Sequence, residues 1–274
     1  MTIFASDLDR TLIYSKRALE DFKEQKDENA IGVERLDNKT ISYMSKKSFM
    51  MLRELAGKIL FIPVTTRTAE QYNRIRIFAR DIPVTYAVTS NGANIFYNKK
   101  PLKDWENIIH ERLKTECASI KEMTEIMQGF KLNARFKSAE DLFFYYILEE
   151  PISFDQKLVI QKTASEHGWR TSLQGRKLYL MPNPISKGEA VQFIKEREGM
   201  STVIGAGDSL LDSDLLRVSN YSFIPAHGEL AKEGKIDFTH VLTSKKGILA
   251  AEEILKNVNH LIETDRLAAF GSKR

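Results

Sequence analysis

A single cysteine, Cys117, stands in a chain of 274 residues, so no disulfide can close within it and its framework has to come from packing. That usage suits a reducing compartment, and a cytoplasmic protein is expected. Charge of one sign is equally scarce: 41 basic against 37 acidic residues leave a formal net charge of +4, too slight and too evenly mixed for a nucleic-acid-binding surface. No apolar run approaches the roughly 20 residues of a membrane span, so no membrane partner is expected. The first residues, Met1-Thr2-Ile3-Phe4-Ala5-Ser6-Asp7, carry neither a basic patch nor a long apolar stretch, and a secretory leader is not expected. What remains is a chain 42% hydrophobic and 28% charged, long enough for one large domain or two moderate ones around a substantial core.

The most informative stretch comes first. Ile3, Phe4 and Ala5 read as a short buried strand, and Asp7 and Asp9 stand two residues apart where it ends. In extended backbone residues i and i+2 point to the same side, so the two carboxylates project together. Like charges that close need a cation, a shared proton or solvent, and a hard divalent ion such as Mg²⁺ is the simplest partner. The same pair also suits a solvated turn after an edge strand.

Residues 14–29 are highly charged, end in Lys26-Asp27-Glu28-Asn29 and read as a solvated helix or loop. Ile31 to Leu36 and Thr40 to Met44 flank Asp37-Asn38-Lys39 and predict a small hairpin over the exit of the first strand, either a flap that restricts water near Asp7 or a decorative edge. Ser45 reads as the N-cap of a helix carrying Phe49, Leu52, Leu55 and Ala56 on one face and stopped by Gly57. The continuous apolar run Ile59 to Val64 predicts a strand covered on both faces in a parallel sheet. It ends in Thr65-Thr66-Arg67-Thr68 ahead of a helix from about Ala69 to Arg80. Hydroxyls there can donate to a phosphate oxygen or simply cap the helix, and Arg67 can orient the loop, reach substrate or sit exposed. A further strand, Thr85 to Thr89, leads into Ser90-Asn91-Gly92-Ala93, where Asn91 either touches substrate or forms the turn.

The pattern then changes. Residues 95–97, 130–136, 142–148, 169–173 and 177–181 read as strands, with helices near Asp104 to Met127 and Phe154 to His167 and short connections that favour antiparallel hairpins. The fold class is therefore α/β, a parallel-sheet core spanning 1–92 and 184–274, with an α+β module inserted over 93–183. Arg135, Arg170, Arg176 and Lys177 of the insert can face an anionic or polyol group or remain solvated. On the return, Ser186 is an N-cap and Lys187 sits in the first helical turn, where it opposes the helix dipole unless an anion or carboxylate lies close. The strand around Thr202-Val203-Ile204 runs into Gly207, and Asp208 and Asp212 straddle the next helix start. Two more carboxylates at a strand end suit a Mg²⁺ site completed by Asp7 and Asp9. Tyr221 to Ala226 and Thr239 to Leu242 read as the last strands, Gly247 to Val258 as a closing helix and Asp265 to Arg274 as a loose tail; His227 lines the cleft or lies at the surface.

Four of these segments resemble, in order, the motifs of the haloacid dehalogenase (HAD) superfamily. Asp7-Leu8-Asp9-Arg10-Thr11-Leu12 is similar to its Asp-x-Asp-Gly-Thr-Leu nucleophile motif, with Arg10 in place of Gly. Thr65-Thr66-Arg67 is similar to its Thr-Gly-Arg second motif, with Thr66 in place of Gly, and Lys187 stands where its third motif has lysine. Gly207-Asp208-Ser209-Leu210-Leu211-Asp212 is similar to Gly-Asp-Ser-x-Asn-Asp, with Leu211 in place of Asn. Ser90-Asn91-Gly92-Ala93 resembles the turn by which the Cof-type, class IIB branch leaves its core for a cap.

The resemblance implies a Rossmann-like core with a C2-type cap and a Mg²⁺-dependent phosphomonoester hydrolase. By that resemblance Asp7 attacks phosphorus to form an aspartyl phosphate, and Asp9 serves as general acid and then base. Mg²⁺ is held by Asp7, the main-chain carbonyl of Asp9 and Asp208, with Asp212 in direct or water-mediated support, while Thr65 and Lys187 grip the phosphoryl oxygens. Arg67 and Asn91 are further substrate-binding candidates. The branch includes phosphatases acting on phosphorylated precursors of sucrose, trehalose and mannosylglycerate, so the expected partner is a small phosphorylated metabolite such as a sugar phosphate. A phosphomutase and a non-catalytic phosphate-ligand binding protein on the same scaffold are the alternatives.

Overall fold

The computed structural model describes residues 1–22, 29–232 and 236–271, so the charged run Lys26-Asp27-Glu28 lies outside the described residues. Ile3, Phe4 and Ala5 are fully buried in β1 (Thr2–Ser6), after which the chain forms β2 (Tyr14–Ser15) and α1 (Lys16–Asp21). Tyr14, expected in a solvated stretch, is fully buried. The hairpin follows as β3 (Ala30–Leu36) and β4 (Lys39–Ser45), with Asp37 and Asn38 in the left-handed conformation that asparagine and aspartate tolerate at a tight turn. Ser45 caps α2 (Lys46–Ala56), its hydroxyl accepting from the Ser48 N–H, and the helix ends at Gly57 ahead of β5 (Leu60–Pro63).

The single helix expected from Ala69 to Arg80 is two, α3 (Ala69–Asn73) and α4 (Arg76–Arg80). Ile75 breaks it: the residue is extended, 1% exposed, and its backbone bridges Glu34 of the hairpin, so burying this side chain outweighs continuing the helix. Next come β6 (Tyr86–Thr89), β7 (Asn94–Tyr97), β8 (Lys100–Pro101) and α5 (Lys103–Thr115). The helix expected through Met127 also divides, because Ser119 starts α6 (Ile120–Gln128) with a reciprocal capping box to Glu122. The remaining elements are β9 (Ala134–Ala139), β10 (Phe143–Leu148), α7 (Phe154–Glu166), β11 (Trp169–Gln174), β12 (Lys177–Pro182), α8 (Lys187–Arg197), β13 (Thr202–Ala206), α9 (Ser213–Val218), β14 (Tyr221–Ile224), β15 (Val241–Leu242) and α10 (Gly247–Gly271). The last helix runs well into the stretch expected as a tail, because Ile248, Ala251, Ile254, Leu255, Val258 and Ile262 recur at helical spacing and pack into the core.

The main sheet is parallel in the order β15-β14-β13-β1-β5. β6 lies beyond β5 through a parallel Val64–Val88 bridge, in which the Thr65 N–H donates to the Val88 carbonyl at 2.9 Å. β1 is therefore central, and the loops after β1, β5 and β13 open on the same carboxyl edge, where ligands of open α/β sheets bind. A second, antiparallel sheet in the order β11-β12-β10-β9 buries one face under α6 and α7 through Met123, Met127, Phe144, Ile160, Trp169 and Leu180.

Most of the stretch after Gly92 packs away from that second sheet, although Ala93 and Leu113 join the cluster of Ala139, Phe143 and Tyr179. β7 extends β6 antiparallel, and Ile95, Leu102, Trp105 and Ile109 share a core with Ile3, Ile62 and Val191; the Trp105 indole N–H also donates to the Gly92 carbonyl at 2.9 Å. A boundary at Gly92 would cut through this packing, since covering the far side of β6 buries more apolar surface than a separate module would. Among the described residues no helix is long and apolar enough to cross a membrane.

Candidate active site

β1 delivers Asp7 to the carboxyl edge, where its N–H donates to the Ala206 carbonyl at 2.8 Å and leaves the residue 5% exposed. Lys187, the first residue of α8, is wholly buried, and its ammonium donates to Asp7 Oδ1 at 2.7 Å and Asp212 Oδ1 at 2.5 Å. Those two carboxylates account for a cation at a helix N-terminus, where the dipole alone disfavours it. The other Asp212 oxygen accepts from the Asp208 N–H at 3.1 Å and from the Ser209 N–H and hydroxyl at 2.9 Å, so Asp212 braces its loop as well as Lys187.

Two glycines make this closeness possible. A Cβ on Gly207 would stand 2.4 Å from Asp212 Cβ, and one on Gly92, at φ +105°, would stand 2.2 Å from the Ser186 carbonyl oxygen at the start of α8.

Carboxylate oxygens of Asp7, Asp208 and Asp212 lie within 4.8 Å of one another. Burial, and then the charge of Asp212, push the Asp7 carboxyl up to about 7 despite Lys187. Burial and the charge of Asp7 raise Asp208 likewise, against the guanidinium of Arg10, whose Nε is 3.6 Å away. Three carboxyl groups gather around one buried ammonium, with the partly exposed Arg10 at the rim, so their ionised forms outnumber the cations and favour a further positive charge. An all-oxygen donor set of this kind fits a hard ion such as Mg²⁺.

The Asp9 side chain, 45% exposed, turns away from that cluster. Both of its oxygens are held by Arg67, Nε to Oδ2 at 2.6 Å and Nη2 to Oδ1 at 2.8 Å, a bidentate fork. Arg67 is not an exposed arginine: its side chain is 13% exposed, and Nη1 lies 2.8 Å from Glu34 Oε2. Burial works against its charge, but Asp9 and Glu34 hold the guanidinium firmly protonated. Glu34 and its partner Ser42, which donates to Oε2 at 2.5 Å, escaped the sequence reading. A bulge between Gly32 and Arg35 places Val33 and Glu34 both inward, and no period-two pattern reveals such a residue.

The Thr65 hydroxyl, on a residue 1% exposed, accepts from the Arg67 N–H at 3.2 Å, and the Thr65 carbonyl accepts from the Asn91 N–H at 2.9 Å. Asn91 adopts φ 58° and is fully buried; its amide donates to Met181 Sδ at 3.0 Å, while Oδ1 has no partner among the described residues. The loops after β1, β5, β6 and β13 and the start of α8 thus converge on one cleft.

The second sheet faces this cleft. Lys137, Tyr145, Tyr179 and Ser172 align in register across it, and directly opposed residues share a face. Tyr179 packs with Ile185 and Leu211 of the core, and its hydroxyl, raised chiefly by burial, feels the charges of Asp9 and Lys187. Ser172 Oγ and Gln174 Nε2 are buried without partners among the described residues. Arg170 is a strut: it donates to the carbonyls of Pro182, Asn183 and Ile185, leaving little for an anion. Arg135 and Arg176 pair with Glu149, and Lys177 lies over the Tyr145 ring.

A model of the sucrose-6F-phosphate phosphohydrolase family matches residues 1–254. The chain belongs to that family. It is a HAD-type phosphatase, and the α/β core of the HAD superfamily is the fold described above. No curated protein matches it. Among solved structures, the sucrose-phosphatase of Synechocystis sp. PCC6803, in complex with sucrose and phosphate, superimposes with a TM-score of 0.69 at 17% identity over 94% of this chain and 97% of that one. An Aspergillus fumigatus trehalose-6-phosphate phosphatase aligns at 0.54 and 14% identity over 94% and 92%. The haloacid dehalogenase-like hydrolase yhjK of Bacillus subtilis aligns at 0.53 and 16% over 93% and 90%. At these identities the likeness is one of fold.

The departures of this phosphatase from the HAD motifs have structural counterparts. Arg10 adopts φ 64°, the left-handed conformation open to glycine, and His227 secures it: the Gly247 N–H donates to Nδ1 at 3.0 Å, which makes Nε2 the protonated nitrogen that donates to the Arg10 carbonyl at 2.8 Å. His227 is 5% exposed between Tyr14 and Phe22, so it is no surface histidine, and burial drives its pKa down to about 4. Leu211, also buried, gives the cleft an apolar contact with Tyr179 and Met181.

Proposed function

We propose that this phosphatase hydrolyses a sugar phosphate, sucrose 6F-phosphate or a close analogue, through an aspartyl phosphate on Asp7. The observation that carries the reading is the buried Lys187 ammonium bridging Asp7 and Asp212 beside Asp208, a nucleophile with its countercharge already in place. Asp7 attacks phosphorus as the bond to the sugar oxygen breaks, and Asp9 gives that oxygen its proton. Asp9, now a carboxylate, takes a proton from the water that cleaves the aspartyl phosphate, returning Asp7 and releasing phosphate. Lys187 and the Thr65 hydroxyl stabilise the phosphoryl oxygens throughout, and Arg67 orients Asp9. Asp7, Asp208 and the Asp9 carbonyl would hold Mg²⁺, supported by Asp212, and the ion would neutralise charge on the phosphoryl group.

The substrate-facing cap in this reading comprises the sheet β11-β12-β10-β9 with α6 and α7, residues 93–115 belonging with the core. Tyr145 and Tyr179 supply an aromatic face for the sugar, and Ser172, Gln174 and Asn91 supply polar atoms for its hydroxyls. The single Cys117 suits a cytoplasmic location.

The test is Mg²⁺-dependent phosphate release from a panel of sugar phosphates, with Asp7→Asn as control. Release by wild type alone, fastest with a disaccharide phosphate, is the expected result. Release undiminished in Asp7→Asn would overturn the reading.

A further inference from the structure

The reaction above gives the β3–β4 hairpin no task, yet it carries a carboxylate into the core. Glu34 is 2% exposed, accepts from the Ser42 hydroxyl at 2.5 Å and lies 2.8 Å from Arg67 Nη1. A buried carboxylate is disfavoured unless it is paired, and a bulge is spent on turning this one inward. The same residue bridges the backbone of Ile75 at the α3–α4 break, which ties the hairpin to the far end of the short helix that follows Arg67.

Asp9, by contrast, owes its place to Arg67. Its side chain is nearly half exposed, and among the described residues Arg67 is the side chain that bonds it. A guanidinium bound on one edge can still rotate about its long stem, whereas one gripped on two edges has a fixed plane. Glu34 grips the second edge, at Nη1, and leaves Nε and Nη2 to Asp9.

We infer that Glu34 is a positioning residue for the acid/base Asp9: it fixes the plane of Arg67, and through Arg67 the carboxyl group that must meet the leaving oxygen. The inference rests on the phosphatase reading above. It gives the hairpin a function in the chemistry of bond cleavage, distinct from that of a flap.

Leaving-group dependence tests it. A sugar alkoxide needs a proton to depart and p-nitrophenolate does not, so a defect confined to Asp9 weakens attack on the first ester and spares the second. The kcat/KM values of wild type, Glu34→Gln and Asp9→Asn are measured on sucrose 6F-phosphate, phenyl phosphate and p-nitrophenyl phosphate. Ratios between esters are independent of the folded fraction, so partial misfolding of a variant does not mimic the effect. In Glu34→Gln the ratio of phenyl or sugar ester to p-nitrophenyl ester is expected to fall about tenfold, in the direction of the larger fall in Asp9→Asn. An unchanged ratio in an active Glu34→Gln enzyme overturns the inference and leaves the phosphatase reading standing. A wild type inactive on all three esters overturns both.

Discussion

The carboxyl edge of the parallel sheet and the facing row of the antiparallel sheet meet in one cleft, but the first concentrates paired charges and the second neutral polar atoms. At the core edge Lys187 bridges Asp7 and Asp212, Thr11 and the Ser209 N–H donate to those carboxylates, and Arg67 holds Asp9 and Glu34, while Asn91 Oδ1 has no partner among the described residues. On the cap row Ser172 Oγ and Gln174 Nε2 are buried with no partner among the described residues. An unpaired buried polar atom costs about 1–3 kcal/mol, which evolution retains where a ligand completes the bond. In the proposed reading the charged groups of the core edge are organised before substrate arrives, while Asn91, Ser172 and Gln174 keep polar atoms for it to complete.

The largest effect expected is at the core. Asp7→Asn should lower phosphate release by about a thousandfold or more, several kcal/mol of transition-state stabilisation. The same substitution removes one of three mutually repelling carboxylates, so the thermal midpoint of the metal-free variant should equal or exceed that of wild type. A variant that lost its fold along with its activity would show that Asp7 holds the core edge together as well as serving its chemistry.

His227 sharpens the same side of the comparison. Its pKa is depressed from 6.5 to about 4, so its contribution is present above pH 6.5 and is lost as pH falls towards 4. That window corresponds to about 3 kcal/mol, and urea unfolding between pH 7 and pH 4 should show it in wild type and lack it in His227→Gln. Identical pH dependence in the two proteins would refute the neutral clamp on Arg10.

On the facing sheet, Ser172→Ala should act on binding where Asp7→Asn acts on the chemical step. It removes a hydroxyl without a partner, so stability should hold or rise by about 1 kcal/mol, while KM for the sugar ester rises roughly fivefold and p-nitrophenyl phosphate turnover is unaffected. A stability loss would mean that the hydroxyl is already satisfied, and the contrast between core and cap would fail. The smallest effect is expected from Arg10→Gly, where relief of the left-handed strain at φ 64° offsets the lost contacts with Asp208 and the Phe22 ring, leaving a net change within about 1 kcal/mol in thermal unfolding.

Much of the core was legible because its signals are local. The apolar runs that became β1, β5 and β13, the Ser45 and Ser186 caps and the Asp37-Asn38 turn each depend on neighbours a few residues away. The two split helices were not legible, since Ile75 and Ser119 end them through burial and a capping box that compete with an uninterrupted helical pattern. Neither was the allegiance of Trp105 and Ile109, whose apolar faces suit either sheet. Glu34 and His227 were obscured most fully, one by a bulge and one by burial against aromatic rings.

By itself the sequence determined which residues stand at the strand ends: Asp7 and Asp9 after β1, Thr65 and Arg67 after β5, Asp208 and Asp212 after β13. Only the tertiary structure decided which of them face one another. Lys187 meets Asp7 across 180 residues of chain and Arg67 meets Asp9 across 58, so that Asp7 carries a buried countercharge and Asp9 an arginine fork held from a hairpin. The reason is physical: strand alternation and helix caps act between neighbours in sequence, whereas charge pairing in a buried cleft depends on distances that exist only once the sheet has closed.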